Sequence, residues 1–508
     1  MEHADTAQLA AVGGALGSIL ALLARGRFTL LAGLATLAIA EVVLVLALGT
    51  AGADALASPA GAVAGVVGAL VLGAAAAVLV RRPAIVPLAV LVAAPFRPPI
   101  AFSGDNRFLV SIARDGALGR LLPLYFVLAA AALALAFSVL RGERVRAVPR
   151  VIALPAAAFL AIAMASLVWA EDVEAGTNVI VFFTLPFAVL LAVVARAPWP
   201  DWMGRALATA ALGLATLFAV IGLWQAVTHE LFFFAPNLAV SNANTDYFRV
   251  TSLFGDPSLY GRHVVLGIGV LLACLAARRI RVWPGIALLV VLWAGLFFSY
   301  SQSSMAALIL ITLAIAFAAG DRAVRRTVVG VALVAALAAG GYVAARVVSG
   351  ASLNQITSDR TQRVEDTVRV IGDQPVLGVG IGGQPRASRE AVGSDRPTAA
   401  FVSHTTPLTV AAELGAVGLV LYIWLLIGGA RAIAAVRRLD DGLGLALGAA
   451  FLGLFVHALS YSGFLEDPLT WLVLALAAGY LAHNESIASA AERAKARGER
   501  RNPATVGP

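Results

Sequence analysis

Residues 28–50 read FTLLAGLATLAIAEVVLVLALGT, with Glu41 as their only charged residue. A helix rises about 1.5 Å per residue, so roughly 20 apolar residues cross the hydrocarbon core of a bilayer. This run is long enough. Comparable runs recur at 60–80, 121–140 and 326–349. The composition agrees: 60% of the 508 residues are hydrophobic, 13% are charged and the mean hydropathy is +0.89, against roughly 25% charged residues in soluble domains. The chain is expected to be an all-α, polytopic transmembrane helix bundle. Segment 9–24 is short, and lies either across the membrane or in its interface.

The single cysteine, Cys274, sits inside an apolar run, which excludes a disulfide framework and a cysteine-based metal site. The N-terminus, MEHADTAQLA, starts acidic and no small-residue cleavage site follows a short apolar core, so the first segment is expected to be retained. The net charge of +8 does not point to nucleic acid, because the arginines cluster between apolar spans in the manner of a topology signal.

Those clusters fall at every second connection: Arg25/Arg27, Arg81/Arg82, 141–150, Arg196/Arg205, 278–281, 321–326 and 437–441. The positive-inside rule makes these connections cytoplasmic. The intervening ones, near 51–59, 96–118, 171–176, 228–257, 299–304, 350–406 and 464–468, are then extracytoplasmic. About 14–15 spans result. The expected organisation is N-terminal transmembrane helices over 1–150, a second transmembrane domain over 151–485, and a basic cytoplasmic tail over 486–508 that is able to touch anionic lipid. The expected setting is multi-pass, in a membrane.

Two extracytoplasmic loops, 228–257 and 350–406, are too long to be mere connectors. The second is expected to hold a short amphipathic helix, with Val364, Val368 and Ile371 on one face before Pro375 and with Arg363, Asp366 and Arg369 on the other.

Three stretches in or beside these loops carry chemistry. In FRVTSLFGDPSLYGRHVV (248–265), Arg249 precedes an Asp256-Pro257 turn and the start of a span. An arginine there grips phosphate through paired charge-assisted hydrogen bonds or simply anchors in lipid headgroups. Arg262 and His263 lie about one turn deeper, where an unpaired charge is costly, so Arg262 is expected to have an anionic partner. In SDRTQRVEDTVRVIGDQPVLGVGIGG (358–383), Gly378, Gly380 and Gly383 fit GxGxxG. No strand precedes them, so they suit a tight turn at the interface better than a dinucleotide site.

The third stretch is FVSHTTPLTVAAELG (401–415). A neutral imidazole at His404 is able to accept or relay a proton from a hydroxyl. The plainer reading is a helix cap, with Thr405 or Thr406 capping a helix that has Pro407 in its first turn; the two readings are compatible. The six histidines are not spaced as metal ligands, so no metal is expected. Glu41 and His457, each inside a span, read equally as helix-to-helix hydrogen bonds or as groups facing a lumen. SYSQSSMAAL (299–308) reads as a cap or as the lip of a groove.

Together these stretches resemble the O-antigen ligase superfamily. Arg249, Phe254, Asp256-Pro257-Ser258 and Gly261 are similar to its arginine, aromatic and Asn-Pro-Asn turn. Arg360, Thr367-Val368, Val370-Ile371, Asp373, Pro375 and LGVGIG follow the spacing of its long outer loop, with Val364 where tryptophan is usual. His404, Glu413, Gly415 and Gly418 match the close of that loop. Thr405 replaces an asparagine. Ser301-Gln302 or Ser303-Ser304 stands where Ser-Arg is common, which leaves that arginine's role to another cation such as Arg262 or Arg363.

The resemblance implies a metal-independent, cofactor-free glycosyltransferase acting on the extracytoplasmic face of a bacterial cytoplasmic (inner) membrane. Its donor would be a glycan on undecaprenyl diphosphate and its acceptor a glycan, lipid or protein hydroxyl. Arg249 and Arg360 would stabilise the diphosphate, His404 would activate the acceptor, and Arg262, Arg363, Asp256 and Glu413 would bind substrate. A polymerase extending lipid-linked repeats, and a transporter of the same lipids, are the alternative readings. The concentration of charge in loops before helix entries favours an enzyme over a transporter with broken helices and midplane charges.

Overall fold

The computed structural model describes residues 2–48, 59–97, 100–102, 108–110, 121–233, 236–349, 360–461 and 463–501. Within these the chain is all-α apart from one hairpin, β1 (Ile100–Phe102) paired antiparallel with β2 (Phe108–Val110). The helices are α1 (Glu2–Leu23), α2 (Arg27–Ala47), α3 (Pro59–Arg81), α4 (Val86–Ala93), α5 (Leu122–Leu140), α6 (Arg150–Ala165), α7 (Val173–Val179), α8 (Leu185–Val194), α9 (Met203–Thr228), α10 (Pro236–Ala243), α11 (Pro257–Ala276), α12 (Val282–Phe297), α13 (Gln302–Ala319), α14 (Arg322–Val348), α15 (Arg360–Asp373), α16 (Gln384–Ala391), α17 (Thr406–Leu439), α18 (Asp441–Ala458) and α19 (Pro468–Arg501).

Eleven stretches among the described residues are long and apolar enough to span a membrane, and the first is Ala4–Leu23, so α1 qualifies as a span. The expected 14–15 exceeds that number. The other apolar helices among the described residues are short, Pro83–Ala93 and Val282–Phe297, and α19 turns polar after its first half.

Two buried clusters organise the bundle. The larger runs from α1 through α6, α8 and α17 to the first half of α19, with Phe187, Tyr422 and Trp471 almost fully buried. The smaller gathers α9, α11, α12 and α13 around α11 and is closed by α18, which contributes to both. Contacts between distant stretches tie the arginine-rich connections together at one end of the bundle: Arg279 bonds Asp440, Arg437 donates to the Ala318 carbonyl, and Arg146 donates to that of Ala197. The segments holding Arg249, Arg360 and His404 lie at the other end.

α17 is not continuous. Gly415 has φ +62° and ψ −161°, which breaks the helix inside a membrane span. A break orphans carbonyls before it and amides after it, and in a span water is not there to satisfy them. Here the glycine-rich segment after α15 does so. Val379 N donates to Ala412 O and Gly380 N to Glu413 O, both at 2.9 Å, while Ala416 N donates to Pro375 O at 2.9 Å and Val417 N to Val376 O at 3.3 Å. The other side of this segment is held by the turn that follows α6: Glu171 N donates to Val379 O, Ile381 N to Ser166 Oγ, and Trp169 Nε1 to Leu377 O. Gly378, Gly380 and Gly382 all have positive φ. The tight turn read from the sequence is thus a backbone hook, and a Cβ at Gly380 would strike Ala170.

Gly415→Ala tests this hook. Its Cβ would collide with the Val376 carbonyl, and left-handed backbone alone costs a non-glycine residue about 1–2 kcal/mol. Thermal unfolding in detergent should fall by at least that amount, and protease cleavage within 375–400 should accelerate.

Candidate active site

The hook fixes where α15 lies. Val370 packs with Val379, Ala387 and Ala412, and Thr367 accepts from Gln384 Nε2 at 3.3 Å. Gln384, fully buried, also donates to Phe401 O and accepts from Ser403 N. The helix expected before Pro375 is present, but its buried face is Asp366, Thr367 and Val370, and Val368 is 51% exposed. Hydrogen bonds to the loop set this face, and it turns Arg363 toward His404.

His404 has φ +55°. A non-glycine residue in that region is strained and persists only where its surroundings hold it. Arg363 Nη1 stands 2.6 Å from His404 Nε2 and 3.5 Å from the Val402 carbonyl. An arginine only donates, so Nε2 is the acceptor and the proton of the neutral ring sits on Nδ1. Burial and the neighbouring charges of Arg363 and Arg360 push the imidazole below its ordinary range, so the ring is neutral at pH 7. Thr405 occupies the cap position of α17, yet its side chain makes no capping bond and donates instead to Leu459 O at 3.3 Å. Glu413, whose carbonyl takes part in the hook, accepts through its carboxyl from the amides of Gly382 and Gln384.

The start of α11 forms the opposing wall. Asp256 caps it, Oδ1 accepting from Ser258 N at 2.7 Å and Leu259 N at 2.8 Å. Arg262 is 5% exposed and pairs at 2.9 Å with Asp467, itself 3% exposed, at the entry to α19. This is the anionic partner its depth demands. His457, also buried, has Nε2 3.2 Å from Ser303 Oγ and 3.2 Å from Ser258 O; it is a helix-to-helix link. Ser301 caps α13 through Ser304 N. Arg249 donates through Nε to Ser299 O at 3.4 Å, and Asn242 clasps its backbone from both sides. Fully buried Gln225 on α9 pins the following turn by accepting from Thr251 N and Ser252 N.

Tyr461 joins the two walls. Its ring centre is 6.3 Å from that of His404 and 5.5 Å from that of His457. Burial, then the charge of Asp256, pushes its phenol up to about 12, against the pull of Arg262 and Arg97. Arg97 enters this corner from the segment after α4. Phe96 stacks edge-on against Phe218 at 6.1 Å, Phe218 against Phe254 at 5.0 Å, and Phe254 lies over His263 at 4.5 Å. Glu466 faces the same corner: burial raises its carboxyl, partly offset by Arg97 and Arg262.

Two cavities flank these groups. One, of about 70 Å³, lies under Thr406 and Thr409 and is lined by both Glu413 and Glu466. The other, of about 320 Å³, is a mostly apolar groove between α9, α11, α18 and α19. It runs from Pro95, His263 and Leu469 at the site end to Arg205 and Arg279 at the arginine-rich end, roughly 20 Å along α11.

Of the residues singled out in the sequence, His404, Arg363 and Arg360 come together. Arg262 and Asp256 join them across Tyr461, and Glu413 braces the loop beneath. Arg249 makes no hydrogen bond or ion pair to His404 or Arg360 among the described residues. Sequence reasoning passed over Arg97, Tyr461, Glu466 and Asp467. Arg97, Glu466 and Asp467 do carry a signal, charge beside the end of an apolar helix, whereas Tyr461 carries none. Among the described residues no three His, Cys, Asp or Glu side chains gather as metal ligands would.

Fold and site together define a multi-pass, all-helical membrane protein with its polar chemistry gathered at one end of the bundle. Residues 287–423 match the O-antigen ligase family model. That segment, about a quarter of the chain, is similar to the O-antigen ligase family and carries Arg360, Arg363, His404 and Glu413. The match supports a glycan-transfer enzyme of ligase or polymerase type working on lipid-linked glycan in a membrane. No curated protein matches the chain.

Removing one partner of a buried ion pair strands the other charge, at a cost of about 3–5 kcal/mol. Asp467→Ala should therefore lower unfolding stability by that much, whereas Arg262→Met with Asp467→Leu should restore most of it. Equal losses in the single and double variants would show that the pair is not the determinant.

Proposed function

We propose that this protein transfers a glycan from an undecaprenyl-diphosphate carrier to an acceptor hydroxyl on the extracytoplasmic face of a bacterial cytoplasmic membrane, without a metal. The observation that carries the reading is the neutral, strained His404, held at Nε2 by Arg363 beside Tyr461 and the Arg262–Asp467 pair. The apolar groove that ends at His263 suits a polyprenyl tail whose diphosphate would lie among the arginines.

The acceptor oxygen attacks the anomeric carbon, forming the new glycosidic bond as the carbon–oxygen bond to the diphosphate breaks, with inversion for a direct displacement. The hydroxyl proton passes to His404 Nε2 and the polyprenyl diphosphate leaves with the bond electrons. Arg360 and Arg363 stabilise the growing charge on the leaving group, where exclusion of water strengthens such contacts, and Arg249 does so from the Ser299 side. Arg363 has a second part. While it donates to His404 the base is blocked, and an arriving diphosphate, the stronger acceptor, draws it away and frees Nε2. Donor binding thereby switches on the base. Glu413 and Asp256 hold the two walls in place.

Purified protein given polyprenyl-diphosphate glycan and candidate acceptors should yield lengthened product: a single addition for a ligase, a ladder for a polymerase. His404→Ala should lower turnover by about 10² to 10⁴ with donor binding retained. If His404→Ala transfers at the wild-type rate, the imidazole is not the base; if lipid-linked glycan crosses the membrane without transfer, the protein is a transporter.

The pH profile gives an independent check. Because the His404 imidazole lies below its ordinary value of about 6.5, activity should persist as pH drops through that value and fail only lower. Arg363 contributes to the depression, so Arg363→Gln should raise the imidazole and move the acid limb to higher pH. An unmoved limb would separate the limb from His404.

A further inference from the structure

We propose that Arg97, delivered by the segment that follows α4, is a donor-binding residue that contacts the anionic head of the lipid carrier at the mouth of the apolar groove. This rests on the donor reading above and extends it to a part of the chain outside both the O-antigen ligase match and the motifs that resemble that family.

The arginine common at the start of the helix corresponding to α13 is replaced here by Gln302 or Ser304, and the two cations the sequence offers in its place, Arg262 and Arg363, both have partners before substrate arrives. Arg262 is neutralised by Asp467 at 2.9 Å, with both side chains buried. Arg363 donates to His404. Arg97 is half-buried and has no carboxylate within ion-pair distance among the described residues. It is nonetheless fixed in place: Pro95, two residues before it, lines the groove together with His263 and Leu469, and Phe96 is locked to Phe218 in the aromatic series that ends on His263. The charge at Arg97 therefore sits where the apolar trough meets the polar corner.

The surroundings suit an anion rather than a second acid. Asp467 already serves Arg262. The carboxyl of Glu466 is raised toward its neutral form, and burial lowers Arg97 itself, an effect that Asp467 only partly offsets. An arginine held half-buried without a close counter-ion is costly, and a diphosphate entering the corner would supply the missing partner. Buried Arg262 Nε has no hydrogen-bond partner among the described residues, so the same corner keeps a second unused donor. A lipid anchored this way would place its glycan under Tyr461 and His404.

The test compares full-length wild type with Arg97→Ala, Arg97→Gln and Arg97→Lys in nanodiscs. Binding is measured for a polyprenyl diphosphate and for the matching polyprenol, which has the tail but no anion, and thermal unfolding is followed in parallel. Loss of a charge-assisted contact should weaken diphosphate binding about 10- to 100-fold in the Ala and Gln variants, with the Lys variant retaining most of it. Polyprenol binding and unfolding should be unchanged. Wild-type affinity for the diphosphate in the Ala and Gln variants would overturn the proposal, as would equal loss of both ligands, which would make Arg97 a groove-shaping residue only. A wild-type protein that does not prefer the diphosphate to the polyprenol would bring down the donor reading itself, and this assignment with it.

Discussion

A helix cannot be broken inside a membrane unless something satisfies the backbone groups that the break exposes. In this protein the break at Gly415 is filled by residues 375–380, through four backbone hydrogen bonds between the loop and the two halves of α17. Everything polar at that end depends on the exchange. The loop arrives tethered to Ser166, Trp169 and Glu171, it carries α15 and α16 with it, and α15 in turn presents Arg363 to His404. Neither the loop nor the broken helix would be stable alone, because each satisfies the other.

The same feature bears on mechanism. Transporters use broken helices to leave backbone dipoles free for ions and substrates near the middle of the membrane. Here the carbonyls of Ala412 and Glu413 and the amides of Ala416 and Val417 are all occupied by the loop, so the break serves as a scaffold. The charged groups lie above it, in a corner built from α11, α15, the ends of α17 and α18, and the entry to α19. Several of them are engaged by neighbours: Arg262 by Asp467, Arg363 by His404, and Asp256 by the amides of α11. Such an arrangement is ordered before substrate arrives, which is what electrostatic stabilisation of a leaving group requires.

Much of this was legible in the sequence, for physical reasons. Apolar runs near 20 residues long announce spans because the bilayer sets that length, and Arg262 announced an acidic partner because an isolated charge at that depth is costly. Thr405 was placed at the helix start, yet its hydroxyl turned to Leu459 O, since proline in the first turn already suits that end of the helix. The face of α15 was read from Val364, Val368 and Ile371, but the loop's hydrogen bonds chose Thr367 and Val370 and left Val368 exposed. Arg97 and Asp467 were not legible as site residues. Each is a charge beside the end of an apolar helix, and only the packing of α4 against α9 and α19 brings them together.

A cryo-electron microscopy map of the full chain with a bound polyprenyl diphosphate tests the account most directly. It should show the tail in the groove between α9, α11, α18 and α19, the diphosphate within hydrogen-bond reach of Arg363 or Arg97, and the Arg363 guanidinium withdrawn from His404 Nε2. A diphosphate bound at the arginine-rich end, or one bound while Arg363 stays on His404, would contradict the account.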